Sequence, residues 1–359
     1  MTIDEARRQF PVFERFAYLN AGTNGPLARA TVEAMVGQAQ ADLETGRGGA
    51  AYFERIVQLR ERVRAKLAAM VGVAEENLSL STSTTNGCNI VLAGLGLGPD
   101  DEVVTTDGEH FGLLGALATS PAQVRVAAVR ELPPEQALEV LLAEVTPTTR
   151  LLALSDVCWM SGNRLPVREL KEATGLPVLV DGAQSAGAIP VEAGEVDYYA
   201  FSCQKWLCGP DVTGALVVAR PKDLRVALPS YFAQSEHQPD GSYVAREGAE
   251  RFDSGWIGAP SLAGLSKALD VAPEWRFERV VEMAAKCRTA LAERFEVITK
   301  PGQAGLVTFR HTSDPTKLVE KLRGEGVIVR ELPGRNLIRV SCGYWTSDSD
   351  LDRLLTSLA

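Results

Sequence analysis

The chain has 359 residues, of which 45% are hydrophobic and 23% charged, so it can bury a large core and is longer than one average domain. A net charge of -9 excludes the basic surface that nucleic acid requires, and no apolar run is long enough to cross a membrane. The N-terminus, MTIDEARRQF, lacks the basic and then apolar order of a signal peptide, so we expect a cytoplasmic protein.

Helices alternate with short apolar strands over the first 255 residues. Helical periodicity covers 30–46 and 53–72, and Val- and Leu-rich segments follow at 101–107, 124–132, 150–157, 176–183 and 196–202. This alternation predicts a mostly parallel sheet covered by helices, which we assign to a large domain over residues 15–255.

The pattern changes after residue 256. A long helical segment is interrupted at Pro273, and short strands and helices follow it. The last helix is predicted to begin with a capping box formed by Ser347 and Asp350. We predict a smaller α+β domain over residues 256–359, with residues 1–14 packing near it.

The cysteines and histidines give no support for a disulfide framework or a metal site. Six cysteines are scattered along the chain without a CxxC pair, and only three histidines are present. We therefore expect reduced thiols and no bound metal.

Lys205 lies in the segment AFSCQKWLCGP (200–210), directly after one predicted strand, and Asp181 ends the strand before it. Because the carboxyl ends of parallel strands meet at one edge of a sheet, the two side chains should share a crevice. A buried ion pair without function is one interpretation. However, a lysine among apolar neighbours has a lowered pKa and forms an imine with an aldehyde, and a fixed aspartate can keep a pyridine nitrogen protonated. The pattern indicates a site for pyridoxal 5'-phosphate (PLP).

Three segments carry a resemblance to a known family: YLNAGTNGPL (18–27), LVDGAQSAGAIPVEAGEVDYYAFSCQKWLCGP (179–210) and QAGLVTF (303–309). They resemble the class V fold-type I PLP-dependent enzymes, the aminotransferase class V and cysteine desulfurase-like family, and most closely its cysteine/cystine C-S lyases. The resemblance implies an α/β fold-type I PLP-dependent transferase fold, in which a mostly parallel, seven-stranded-type sheet is joined to the small domain. By this likeness Lys205 is the Schiff-base lysine, Asp181 pairs with the pyridinium nitrogen, and Gln184 contacts the phenolic oxygen of PLP.

The resemblance also implies contacts to the PLP phosphate. In STTNGCNIVLAGL (83–95), Thr84, Thr85 and Asn86 match a phosphate loop at a helix N-terminus, although such a cluster is often only a helix cap. Ser202 and Gln204 match two further phosphate contacts. Position 204 is commonly histidine in the family, so we expect weaker phosphate binding here and a changed pKa of the lysine.

Three aromatic side chains are assigned to the cofactor by the same likeness. His110 matches the histidine that stacks on the PLP ring. Trp159 stands where many relatives have an asparagine, and a tryptophan at this position agrees with the C-S lyase branch. Its alternative role is core packing. Trp256 stands where relatives often have a threonine that reaches the phosphate of the neighbouring subunit. The family resemblance therefore implies a homodimer with PLP at the subunit boundary.

Substrate binding is predicted in the small domain. Arg330 and Arg339 lie on two strands joined by a turn, and the lyase branch has a matching pair that binds an amino acid carboxylate. Arginine suits this task because its planar guanidinium binds a carboxylate bidentately. Ala21, Gly22 and Thr23, in the segment NAGTNGP, would line the opposite wall.

One departure limits the choice of reaction. Cysteine desulfurases carry a nucleophilic cysteine on a loop before the second arginine strand, but VIVRELPGRNLIRV (327–340) contains no cysteine. We therefore predict β-elimination, a C-S lyase reaction on cysteine, cystine or an S-substituted cysteine that gives pyruvate, ammonia and a thiol or persulfide. The alternatives are an aminotransferase or amino acid epimerase of the same family, and a catalytically idle PLP-fold protein that acts as a scaffold.

Overall fold

The structure is a computed structural model that describes residues 1–332 and 334–359. The helices are α1 (Ile3–Arg8), α2 (Arg29–Thr45), α3 (Ala50–Met70), α4 (Thr84–Leu95), α5 (Phe111–Ala118), α6 (Pro134–Ala143), α7 (Val167–Thr174), α8 (Ala259–Val271), α9 (Arg276–Ala292), α10 (Pro315–Gly324) and α11 (Asp348–Ser357). Within the described residues, none of these helices has the length and apolar character needed to span a membrane.

The strands form one large sheet and three small ones. They are β1 (Ala17–Tyr18), β2 (Leu78–Ser81), β3 (Glu102–Thr106), β4 (Gln123–Ala127), β5 (Thr149–Ser155), β6 (Val178–Asp181), β7 (Tyr198–Ser202), β8 (Gly214–Val218), β9 (Gln234–His237), β10 (Tyr243–Ala245), β11 (Leu306–Arg310), β12 (Val327–Ile328), β13 (Arg330–Leu332) and β14 (Leu337–Ser341).

The large sheet has seven strands in the order β2-β8-β7-β6-β5-β3-β4. The neighbours from β7 to β4 pair in parallel, and β8 is antiparallel to both β7 and β2. Every residue of β6, β7 and β8 is buried, as expected for strands covered on both faces by helices. The predicted mostly parallel α/β sheet of seven strands is confirmed.

Alternate residues of each central strand enter different cores. Leu152 and Val180 pack in a cluster with residues of α3, whereas Leu151 and Leu179 pack in a cluster with residues of α4 and α5. This alternation follows from the two-residue period of a strand. The sheet is therefore held between two apolar layers.

A smaller unit is built on a three-stranded antiparallel sheet in the order β11-β14-β13. Its core joins residues of α9, α10 and α11 to Ala17 and Leu19 near the start of the chain. The N-terminal helix also contacts this unit, since Arg7 forms a 2.7 Å ion pair with Asp350. Ser347 and Asp350 form the capping box predicted for the last helix.

The segment that joins the two units packs with the large sheet. Ile257 precedes α8, and Ala259 and Leu262 lie within it, yet all three belong to the core of the large unit. Pro273 then separates α8 from α9, as predicted. The domain boundary between residues 255 and 256 stays a prediction. Because α8 packs with the large sheet, we propose a boundary after α8.

Candidate active site

Lys205 lies in the tight turn that follows β7. The turn is closed by hydrogen bonds from the Cys208 amide to the Lys205 carbonyl, at 3.1 Å, and from the Gly209 amide to the Cys203 carbonyl, at 2.9 Å. The lysine side chain is half-buried. Burial lowers the pKa of Lys205 to about 8, although the nearby charge of Asp181 acts in the opposite direction. A fraction of this amine is therefore neutral near physiological pH.

Asp181 is the last residue of β6, and its neighbour in register on β7 is Ala200. The carboxylate is buried and accepts a 2.9 Å hydrogen bond from the Ala183 amide. Burial raises the pKa of Asp181, while the charge of Lys205 lowers it. The structure therefore brings this acid and Lys205 together at the carboxyl edge of the sheet.

The N-terminus of α4 lies beside the lysine turn. The Ser202 hydroxyl accepts a hydrogen bond from the Thr84 amide and pairs with the Thr84 hydroxyl, both at 2.9 Å. Thr85, the next helical residue, is exposed, and its amide has no acceptor within the helix. These groups form the dipole-positive end of a helix, which suits an anion such as phosphate.

Two residues missed by sequence reasoning organise this helix start. Ser83 is the N-cap residue and accepts the Asn86 amide at 3.1 Å. The Asn86 side-chain oxygen accepts hydrogen bonds from the Thr82 amide and from the Ser254 hydroxyl, so it faces the chain rather than an open site. The serine before two threonines was a signal for the cap, whereas Ser254 is distant in sequence and gave none.

Gln184 and Gln204, the two glutamines predicted to contact PLP, differ in how many hydrogen bonds their side chains form within the protein. Gln184 is buried, donates to the Gly22 carbonyl and accepts from the Trp206 indole, both at 3.0 Å. One of its two N–H groups remains available. The side-chain oxygen of Gln204 is buried and has no hydrogen-bond partner among the described residues. Because buried polar atoms are normally paired, this orphan atom indicates that a ligand group or water completes it.

His110 begins α5 and is held in a single orientation. Its Nδ1 accepts a 3.1 Å hydrogen bond from the Gly112 amide, so a neutral ring carries its proton on Nε2. Its ring lies 5.1 Å from that of Trp159 at an interplanar angle of 85°. Burial, and then the charges of Lys205 and two arginines, lower the pKa of His110 to about 4. The imidazole is therefore neutral at pH 7.

Arg330 and Arg339 face each other across the pairing of β13 with β14. Both donate to the Thr23 hydroxyl, at 3.0 and 3.2 Å, and Arg339 also donates to the Trp159 carbonyl at 3.0 Å. Burial, reinforced by the charge of Arg330, lowers the pKa of Arg339 to about 9. In the part of the chain that the structure describes, neither arginine forms an ion pair with an acidic residue.

The N-terminal loop NAGTNGP lies between the turn of Lys205 and the strands β13 and β14. A Cβ atom on Gly22 would lie 2.9 Å from Arg339 Nη2 and 3.0 Å from Gln184 Oε1. On Gly25 it would lie only 2.1 Å from the Lys205 carbonyl oxygen. Ala21 is buried in the same loop. Only glycine fits at positions 22 and 25 without displacing these groups.

Trp256 is not brought together with the other predicted site residues within this chain. Its side chain is 50% exposed and packs with Tyr52, Phe53 and Phe232. The predicted role of Trp256 at a partner subunit remains a prediction, because one chain does not contain that boundary.

The residues that lie together fit PLP. They supply an amine of lowered pKa, a buried carboxylate beside it, and a helix N-terminus with hydroxyl groups. These are the donors and acceptors that an aldehyde, a pyridine nitrogen and a phosphate require. The fold and this arrangement define a PLP-dependent enzyme of fold type I.

Comparison with known proteins agrees. Residues 17–354 match the Aminotransferase class-V family. Isopenicillin N epimerase of Streptomyces clavuligerus is 26% identical over 99% of this chain and 97% of its own. The cysteine desulfurase of Serratia proteamaculans (strain 568) is 30% identical over 75% of this chain and 71% of its own. The chain belongs to the aminotransferase class-V family, whose members depend on PLP.

Two solved structures extend the likeness to the whole fold. The complex of the cystine C-S lyase C-DES with its reaction product cysteine persulfide has a TM-score of 0.90 and 29% identity, covering 98% of this chain and 99% of that one. A mutant of C-DES with glycine covalently linked to the PLP cofactor has a TM-score of 0.91 and 29% identity, covering 98% of each chain. The predicted resemblance to the cysteine desulfurase-like family and its C-S lyases is confirmed.

Proposed function

We propose that this chain is a PLP-dependent C-S lyase that performs β-elimination on cysteine, cystine or an S-substituted cysteine, with pyruvate, ammonia and a thiol or persulfide as products. The observation that carries the proposal is the pair of arginines without an acidic partner, beside Lys205. The likeness to the cystine C-S lyase C-DES supports the same reaction.

The arginine pair suits the carboxylate of an α-amino acid. Arg339 is only 1% exposed, and its Nε atom is buried without a hydrogen-bond partner among the described residues. A buried cation without a counterion is costly, and a substrate carboxylate removes that cost by accepting two parallel hydrogen bonds. The unpaired indole N–H of Trp159 is a further donor in the same place.

Lys205 is assigned the proton transfer. Bound PLP supplies an electron sink for the negative charge that develops at the substrate Cα. The Lys205 amine, whose pKa is about 8, takes the Cα proton, and a thiolate or persulfide then leaves Cβ. Hydrolysis by one water molecule completes the balance by releasing pyruvate and ammonia.

The cysteines of the chain favour elimination over a mechanism in which the enzyme itself accepts sulfur. All six are buried, and burial raises the pKa of Cys203 to about 12. Thiols of this kind are poor nucleophiles. The sulfur of the substrate therefore departs as a thiolate or persulfide instead of forming a persulfide on the enzyme.

Epimerisation is the second candidate, and the likeness to isopenicillin N epimerase over almost the full length of both chains favours it. It requires return of a proton to the opposite face of Cα. His110 is the other candidate proton donor assigned to this site, but its pKa of about 4 leaves the imidazole neutral at pH 7, without the second ring proton that a general acid donates. This property favours the one-base elimination.

The active form is proposed to be a homodimer. Trp256 and Tyr231 are 50% and 55% exposed, and Leu43 is 78% exposed on α2. Large apolar side chains gathered on one surface favour burial against a second copy. Light scattering of the PLP-loaded protein at micromolar concentration tests this assignment, and a monomer that retains full activity contradicts it.

The function is tested by supplying cystine and a series of S-substituted cysteines and measuring both pyruvate release and the enantiomeric composition of the remaining substrate. Pyruvate formation supports elimination, and a mixture of enantiomers without pyruvate identifies an epimerase. A colourless protein that added PLP does not change would indicate a scaffold instead.

Arg339→Ala tests the carboxylate site in the same assay. We expect kcat/KM to fall about thirty- to several-thousand-fold because the substrate carboxylate is left buried and unpaired. This fall corresponds to a loss of about 2 to 5 kcal/mol in transition-state stabilisation. Arg330→Ala should cost less, and Arg168→Ala, at an exposed arginine of α7, is the matched control. Activity of Arg339→Ala within about threefold of wild type would contradict the α-amino acid assignment.

A further inference from the structure

A second buried carboxyl group, that of Glu109, lies behind the site and has no part in the proposed reaction. The residue is 3% exposed and directly precedes His110. Its Oε1 accepts hydrogen bonds from the Thr106 hydroxyl at 2.6 Å and from the Ser155 amide at 3.1 Å. Its Oε2 lies 2.5 Å from the Ser155 hydroxyl. A buried carboxyl with this number of contacts is held in one position.

These contacts connect β3 with β5. Thr106 ends β3, which leads to His110, and Ser155 ends β5. Ser155 is the neighbour in register of Asp181 on β6. Because adjacent strands are about 4.8 Å apart, Glu109 contacts the residue that lies one strand spacing from Asp181. The contacts of Glu109 therefore fix the position of His110 relative to Asp181.

A buried carboxyl group is costly to ionise unless a nearby cation or several hydrogen-bond donors compensate its charge. Asp181 faces Lys205, whose cationic form favours an ionised Asp181. Glu109 forms no ion pair among residues 1–332 and 334–359. Burial raises the pKa of Glu109 to about 7, against the hydrogen bonds from Ser155 and Thr106, and the charge of Asp181 adds to the increase. Glu109, which is buried and lacks a cationic partner among the described residues, is therefore the carboxyl that more readily holds a proton.

The other ionisable groups around Glu109 do not provide a counterion. On its own segment they are Asp107 and His110, and Asp107 already pairs with Arg130 at 3.5 Å. From the remaining elements the groups are Cys158 on the loop after β5, Asp181 on β6 and Cys88 on α4.

We propose that Glu109 is a positioning residue whose protonated carboxyl joins the loop of His110 to the strand beside Asp181 without adding a second negative charge behind the site. The inference rests on the proposed roles of His110 and Asp181. When the pH rises above 7, Glu109 loses its proton and adds a second negative charge behind the site.

Glu109→Gln is the informative variant because glutamine is neutral at every pH, and its amide can keep a hydrogen bond to the Ser155 hydroxyl and accept from the Thr106 hydroxyl. We expect the visible absorbance of bound PLP to match that of wild type below pH 7 and to diverge above it, where only wild type gains the charge. If the absorbance of wild type and that of Glu109→Gln change with pH in the same way across this range, the proposed effect of the Glu109 charge is wrong. Glu139→Gln, at an exposed glutamate of α6, is the matched control.

Glu109→Ala tests the positioning role, since alanine removes the connection at every pH. The dissociation constant of PLP should rise by about tenfold, whereas Glu109→Gln should remain within about threefold of wild type below pH 7. If Glu109→Ala folds and binds PLP as wild type does, the positioning role is wrong. If it does not fold, the comparison of Glu109→Gln with wild type still decides the charge role.

Infrared difference spectra of the PLP-loaded protein observe the proton directly. Below pH 7, a protonated-carboxyl band present in wild type should be lost in Glu109→Gln and retained in Glu139→Gln. Absence of that band in wild type would contradict the proposal. Failure of the proposed site is distinguished by Asp181→Asn: if that variant keeps normal absorbance and turnover, the cofactor assignment is wrong, whatever the Glu109 variants show.

Discussion

Replacement of Asp253 should destabilise the fold more than replacement of an exposed charged residue. Asp253 is 2% exposed and accepts hydrogen bonds from Arg60 and Arg64 of α3, at 2.7 and 2.8 Å, and from the Leu80 amide at 2.8 Å. Ser79 donates to the same carboxylate at 3.2 Å. Removing the carboxylate takes away the one acidic partner that Arg60 has among the described residues and leaves Arg64 with Glu250 alone, at 3.4 Å.

The expected cost of Asp253→Ala is about 3 to 5 kcal/mol, the range measured when one partner of a buried ion pair is removed. Asp253→Asn keeps an acceptor for the Leu80 amide but loses the charge, so its cost should lie near the lower limit. Urea unfolding at fixed protein concentration and saturating PLP measures both, because ligand and partner binding shift apparent stability. The control is Asp270→Asn, which breaks an exposed pair with Lys66 and should cost less than about 1 kcal/mol.

The same residue predicts a pH dependence. Burial raises the pKa of Asp253, but the charges of Arg64 and Arg60 outweigh burial and hold it below its ordinary value. A lowered pKa means that the stabilisation is present above the unfolded value of about 3.9 and is lost as the pH falls through the folded value. The difference between wild type and Asp253→Asn should therefore narrow in acid. A constant difference, or a cost below about 1 kcal/mol at pH 7, would refute this reasoning.

Three further substitutions have defined outcomes. Lys205→Ala should remove the absorbance of the covalent imine between Lys205 and PLP and leave the far-ultraviolet circular dichroism unchanged, and a variant that keeps both this absorbance and turnover would contradict the site. Asp181→Asn should keep some PLP yet lower kcat by orders of magnitude, because a neutral amide does not hold the pyridinium proton, and near-normal turnover would oppose this role. Val212 is β-branched at a φ of 60° and 62% exposed, so Val212→Gly should raise the free energy of unfolding by about 1 kcal/mol, and a destabilised variant would show that no strain is present.

The sequence was informative wherever one local pattern decided the structure. The apolar segments that end at Asp181 and precede Lys205 predict two parallel strands and a shared edge, and the structure has both. The capping box at Ser347 and the break at Pro273 are similarly local. The nine-residue spacing of Arg330 and Arg339 predicts two paired strands, and these residues are neighbours in register.

Contacts between distant segments were not predictable from one sequence. The hydroxyl of Ser254 reaches Asn86 across 168 positions, and no periodicity or spacing marks either residue for the other. Glu109 reads as an ordinary polar residue beside a histidine, and only its burial against Ser155 distinguishes it. The packing of α8 with the large sheet is a tertiary choice of the same kind, because its apolar face would suit either unit.

The position of the N-terminal loop NAGTNGP has a consequence for how the protein is made. Thr23 leaves the ribosome long before its partners Arg330 and Arg339. Leu19 likewise waits for Ile328 and Ser341, to which its backbone is hydrogen-bonded. The large sheet can collapse while translation continues, since its strands lie between residues 78 and 218. The proposed substrate pocket, by contrast, forms only after Arg339 has emerged, so a nascent polypeptide that ends before this residue can hold a formed sheet without a complete pocket.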